Sequence, residues 1–202
     1  MWRHTVPYGD RAVNTVPYGV GRMSTDNLDR ERWERAALDA LERGGLAAVA
    51  VEPLARALGV TKGSFYWHFT GRADLIAATV ARWERLHVDG PLQAAGAIDD
   101  PRERLMELLG RAGAKPPSIF IRLLDAVDEP VVRAAVARAA QKRVAFLAKA
   151  FRELGLTPAR ARRQALLAYS TYVGRAHLAR DAPELLGDQA ALSRHIAEQL
   201  IG

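Results

Sequence analysis

The chain contains no cysteine. That excludes a disulfide framework, a thiolate metal site and a cysteine nucleophile, and it accords with a reducing, cytoplasmic setting. Long apolar runs are also missing. The longest charge-free stretch is about eleven residues, Gln164 to Gly174, whereas a spanning helix needs about 20. The first residues hold no long apolar segment, so no secretory signal is expected. Catalytic spacings are absent too: there is no Gly-rich phosphate loop, no G-x-S-x-G and no H-E-x-x-H. The histidines at 4, 68, 87, 177 and 195 form no ligand spacing. The expectation is therefore no enzyme, no metal and no cofactor.

What remains is 202 residues, 49% hydrophobic and 26% charged, with a formal net charge of +6. This is enough chain to bury a core without covalent staples. The charge is unevenly placed. Residues 1–22 carry +2, residues 23–90 carry −1 and residues 91–202 carry +5. Bulk charge therefore does not locate a partner.

The first 22 residues differ from the rest. Thr5-Val6-Pro7-Tyr8-Gly9 recurs as Thr15-Val16-Pro17-Tyr18-Gly19, and proline with glycine in each copy opposes helix. The expectation is a flexible arm or an upstream segment read through as protein, with initiation at Met23. The pentapeptide can be spelled ACC GTA CCG TAC GGT, which contains the self-complementary string ACCGTACGGT. The ten-residue offset is about 30 bp, near three duplex turns.

From Arg30 onward the pattern is helical. Trp33, Ala37, Ala40 and Leu41 share one face, and Arg30/Glu34 is among several i, i+4 charge pairs opposite. Gly44-Gly45 ends this helix. A second is expected over 51–58, a third over 61–69 and a fourth over 72–86, with Gly90-Pro91 to Gly96 as a connector. Later helices are expected over 101–111, 118–127, 130–154, 158–179 and 188–200, with Pro116-Pro117 as an interruption. No strand is expected.

The segment Val51 to Phe69 reads as a helix-turn-helix. Gly59 suits the sharp turn, Thr61 can cap the third helix, and Phe65 and Phe69 point inward. Lys62, Ser64, Tyr66 and His68 face outward, with Gly63 as bare backbone. Hydroxyls and a lysine there can bond phosphate or base edges. From Pro53 to Ala73 there is no acid, so Arg56, Lys62 and Arg72 make a local +3 window.

The string Gly59-Val60-Thr61-Lys62-Gly63-Ser64-Phe65-Tyr66-Trp67-His68-Phe69, followed by Arg72, Asp74 and Leu75, resembles the DNA-binding domain of TetR/AcrR-type transcriptional regulators over about residues 29–80. The resemblance implies an all-α protein. Residues 23–86 would be the DNA-binding domain, with its motif near 50–69, and 87–202 a helical effector-binding and dimerisation domain. It implies that Lys62, Gly63 and Tyr66 approach bases. Thr61, Ser64, Trp67, His68 and Arg72 would touch phosphate or support the recognition helix; Trp67 is alternatively a core or interdomain residue. Two departures stand out. Ala50 replaces a capping Thr or Ser, and Glu52 stands where some members place a basic or polar reader. An acid there can accept from cytosine N4 or be repelled by phosphate.

In the C-terminal half, Met106, Phe120, Leu124, Phe146 and Tyr172 are candidates for an apolar effector pocket, with Leu109 beside them. His177, Arg122 or Ser118 would supply polar contacts. Leu166, Tyr169 and Val173, with Leu192, Ile196 and Leu200 of the last helix, are candidates for a homodimer interface. Packing inside one subunit is the alternative for both sets. The functional expectation is a repressor released from a palindromic double-stranded DNA operator by a small molecule, with control of its own gene. An activator, a non-specific DNA-binding protein and a helical enzyme or carrier are the competing readings.

Overall fold

The computed structural model describes residues 25–114 and 118–202; the repeat-bearing segment 1–22 and Pro116-Pro117 lie outside them. Among the described residues the chain is helix and connection, without strand. Helix α1 spans Thr25–Gly44, starting earlier than the apolar pattern alone predicts. Trp33, Ala37, Ala40 and Leu41 are buried as the periodicity requires. A 3-10 turn at Leu46–Ala48 leads into α2, Val51–Leu58. Ala50 makes no side-chain cap there, so α2 relies on burial of Leu54 and Ala55 to hold its start in place. Its end is a Schellman turn: Gly59 sits at φ 68°, and Val60 N–H donates to the Ala55 carbonyl at 3.0 Å.

The third element is shorter than expected. Helix α3 is one turn, Lys62–Phe65. Tyr66, Trp67 and His68 continue it with N–H donation to carbonyls three residues back. Aromatic residues and glycine are weak helix formers. The tight turns bring Phe69 back to stack on Phe65 at 5.3 Å, so burial of the two rings shapes the segment more than helix propensity does.

Helix α4 spans Arg72–Glu84, but the expected connector at 90–96 is helical. A π turn at Arg85–Asp89 runs straight into α5, Gly90–Gly96. Pro91 has no N–H for the carbonyl four residues back, that of His87. The Arg143 guanidinium donates to that carbonyl instead, at 3.0 Å. The proline break is thus repaired by a side chain from a distant helix, which local sequence cannot announce.

The remaining helices are α6 (Pro101–Ala114), α7 (Ser118–Leu124), α8 (Pro130–Glu153), α9 (Pro158–Asp181) and α10 (Gln189–Ile201). Asp188 caps α10 by accepting from Ala190 and Ala191 N–H. Two apolar clusters form the interior. One joins α1 to α4 with α7, the first half of α8 and Ala176. The other joins α6, the end of α8, the start of α9 and α10. The first includes Trp83 and Val88, which lie on either side of the exposed residues 86 and 87 in one continuous helical run.

Two buried carboxylates tie α4 to its neighbours. Glu34 of α1 is 8% exposed and faces Arg82 at 3.7 Å and Arg85 at 3.3 Å. Glu84 is met by Arg138 and Lys142 of α8, each at 2.9 Å. Burial opposes ionisation of Glu84, but hydrogen bonds from Arg138 and Lys142 outweigh it and hold its carboxyl below the usual range. Lys142 also reaches Asp89 in the π turn, at 2.6 Å.

Candidate nucleic-acid interface

The recognition segment is held from behind. Phe65 is fully buried, edge-on to Trp33 at 5.2 Å. Arg30 lies over the Phe69 ring at 4.3 Å and donates to the His68 carbonyl. Asp74 accepts from Thr70 N–H at 3.0 Å and faces Arg30 at 3.8 Å. Arg72, although exposed, lies back along the chain, with Nε donating to the Val49 carbonyl and Nη2 to the Leu46 carbonyl, both at 2.7 Å. Its guanidinium braces the α1–α2 connection against the start of α4.

With these anchors set, the other face is open. Thr61 Oγ1 accepts from Ser64 N–H at 3.3 Å. Tyr66 is 58% exposed and Trp67 87% exposed, so Trp67 is not a core residue. Lys62 is exposed and donates to Glu52 Oε1 at 2.8 Å. That hydrogen bond and the lysine's charge hold the Glu52 carboxyl below the usual carboxylate range; Lys62 is raised in turn. Thr61, Lys62, Gly63, Ser64, Tyr66 and Trp67 are therefore brought together on one surface, while His68 presents its carbonyl to Arg30 and Arg72 points to backbone. A bare Gly63 leaves room: a Cβ added there would meet only the Thr61 hydroxyl, at 3.6 Å.

Residues 35–79 match the family described as bacterial regulatory proteins, tetR family. The helix-turn-helix domain is of the TetR family. Among curated relatives, the HTH-type transcriptional regulator SrpR of Pseudomonas putida is 32% identical over 101 residues, which are 50% of this chain and 40% of SrpR. The uncharacterized HTH-type regulator TtgW, from a strain of the same species, is also 32% identical over 101 residues, 50% of this chain and 64% of TtgW. The match thus spans under two thirds of either relative. The fold is shared more widely. E. coli NemR in its reduced form aligns with a TM-score of 0.73 at 16% identity, over 86% of this chain and 97% of NemR. A TetR regulator from Legionella pneumophila aligns at 0.71 and 17%, over 86% and 97%.

In the helical half of the chain, Phe120, Leu124 and Tyr172 come together. The Phe120 and Tyr172 rings lie 5.3 Å apart, and Trp83 of α4 stacks on Phe120 at 6.4 Å. Arg143 lies over both Phe120 and Tyr172, at 5.5 and 5.1 Å. Burial pushes the Tyr172 phenol up, so it stays neutral. Met106 and Leu109 pack in the other cluster. Phe146 is half-buried beside Gly96. His177 is exposed next to Arg180, and the Ser118 side chain lies outside the described residues. Arg122 lines a separate open cleft of about 330 Å3, with Gly44 to Ala47 and Asp125. Of the candidate dimer residues, Leu166 is 43% exposed, whereas Leu200 is buried in the second cluster and Ile196 packs on it. Val173 packs on the first cluster; Tyr169 and Leu192 are half-buried. Sequence periodicity missed Leu167 and Leu178, which are exposed on α9. It also missed Arg30 and Arg143, because each acts on backbone or rings far away in sequence.

Among the described residues no helix is long and apolar enough to cross a membrane. None of their His, Asp or Glu side chains form a group of three placed to hold a metal.

Proposed function

We propose that this protein is a sequence-specific transcriptional repressor, released from a palindromic operator when a small molecule binds its helical half. The observation that carries this reading is the recognition segment itself. Lys62, Tyr66 and Trp67 project from a surface whose back is locked by Phe65, Arg30 and Arg72. Such a surface suits direct contact with base edges and phosphates in a major groove.

Two copies would place two recognition segments on half-sites about one duplex turn apart. The exposed α9 stripe of Leu167, Ser170, Gly174 and Leu178 supports a helix-to-helix contact between copies, and an added Cβ at Gly174 would meet nothing within 4 Å of the same chain. Coupling would run through α4. Its far end is tied to α8 by Glu84 and stacks Trp83 on Phe120, and its flank is tied to α1 by Glu34. A ligand that separates Phe120 from Tyr172 would tilt α4 and mis-space the recognition segments. Such coupling is typically about 1–3 kcal/mol.

The test is a gel shift at two salt concentrations. A duplex carrying two copies of ACCGTACGGT about 30 bp apart, near three duplex turns, is the first probe, because the repeated pentapeptide can spell it and the protein would then control its own gene. Retention of that duplex over a scrambled one at higher salt supports specific binding. Equal, salt-sensitive binding to every duplex tested, including DNA from upstream of the gene, favours a non-specific DNA-binding protein.

A further inference from the structure

Glu52 lies in the first turn of α2 and Lys62 opens α3, so the two helix starts of the motif meet at one hydrogen bond, Nζ to Oε1 at 2.8 Å. Both side chains are more than half exposed, 54% for Lys62 and 65% for Glu52. An ion pair so open to water adds little to folding. Its effect is on the surface it forms. A lone carboxylate on this face would be repelled by phosphate; paired with Lys62 it is neutralised where DNA would approach.

In a major groove a G·C pair displays the guanine O6 acceptor beside the cytosine N4 donor. Those two atoms share an N–H···O hydrogen bond of roughly 2.9 Å. Glu52 Oε1 and Lys62 Nζ present an acceptor and a donor at nearly the same separation. Set edge to edge, Nζ donates to O6 while N4 donates to Oε1, closing a ring of four hydrogen bonds. An A·T pair also offers a donor beside an acceptor, but the acceptor side carries the thymine methyl where guanine carries N7. Only guanine gives Lys62 a second acceptor.

We propose that Glu52 and Lys62 act as one reading unit that recognises a single G·C base pair in each half-site. Lys62 takes guanine O6 and N7, and Glu52 takes cytosine N4. This rests on the regulator reading above and assigns part of its specificity.

The test uses the full chain and a pool of duplexes with a randomised centre, enriched for the bound fraction. The wild type is compared with Glu52→Gln and Lys62→Met, with thermal melting as the control for folding. The wild type is expected to hold G·C at one position per half-site by about tenfold. Both variants are expected to lose that preference at the same position and keep the others. An unchanged pattern in Glu52→Gln overturns the proposal, even if that variant binds all duplexes more tightly, since the carboxylate would then only repel phosphate. Loss at two different positions overturns it as well. A wild type that enriches no pattern removes the regulator reading itself, which is a distinct result.

Discussion

At the scale of single residues, the helix-turn-helix surface divides into groups that hold and groups that face out. Arg72 and Lys62 both belong to the +3 window, yet Arg72 spends its donors on the Val49 and Leu46 carbonyls while Lys62 remains at the surface. Tyr66→Ala is expected to weaken specific DNA binding by about tenfold or more in a gel shift, since a base-edge contact is worth roughly 1–3 kcal/mol. Its melting temperature should stay near wild type, because the side chain is 58% exposed. Unchanged affinity would mean that the segment is not the reading surface. Gly59 offers a cleaner stability test. Its φ of 68° is left-handed and an added Cβ would meet no neighbour, so Gly59→Ala should cost about 1–2 kcal/mol from backbone strain alone. Chemical denaturation measures this directly.

At the scale of elements, α4, the π turn and α5 form one continuous helical run whose turn is contacted by α8. Arg143→Met leaves the His87 carbonyl without its donor beside Pro91 and removes the cation from over Phe120 and Tyr172. A loss of about 1–3 kcal/mol is expected, together with faster amide exchange over residues 85–95 in hydrogen–deuterium exchange. Exchange unchanged in that segment would show that the turn holds itself. Glu84 makes the second contact at this scale. Its carboxyl is held below its ordinary value in the fold. The folded state therefore binds fewer protons than the unfolded chain, and the stabilisation is present above the unfolded carboxylate value and lost as pH falls through the folded one. Melting temperature measured from about pH 7 down to about pH 3, a range that spans the carboxylate titration, should fall less steeply in Glu84→Gln than in wild type. Near neutral pH that variant should be less stable by about 2 kcal/mol, between the small worth of exposed pairs and the larger cost of breaking buried ones.

At the scale of the whole molecule, the larger core is shared between the helix-turn-helix domain and the first part of the helical half that follows. That continuity gives a strain arising near Phe120 a packed route to α1. Exposed leucines on α9 remain outside both cores. Leu167→Glu with Leu178→Glu is expected to convert a dimer to a monomer in sedimentation while leaving helix content unchanged. Operator affinity should then fall steeply, because two half-sites would no longer be bound together. A wild type that sediments as a monomer at micromolar concentration would remove the paired-half-site geometry.

Local chemistry was readable directly from the chain. The 3.6-residue spacing of Trp33, Ala37 and Leu41 set α1, the glycine at 59 set the motif's turn, and the Gly59 to Phe69 string identified the domain. Each of these is decided within a few residues, by backbone sterics or by which face is apolar. The extent of α3, the helical course through Pro91, the backbone contacts of Arg72 and the Glu52–Lys62 pair were decided only by tertiary structure. In each case the partner is ten or more residues away or is buried packing that a local pattern does not encode. A proline reads as a break until a distant guanidinium supplies its missing donor, and an acid in the helix-turn-helix reads as a misfit until a lysine is found 2.8 Å away.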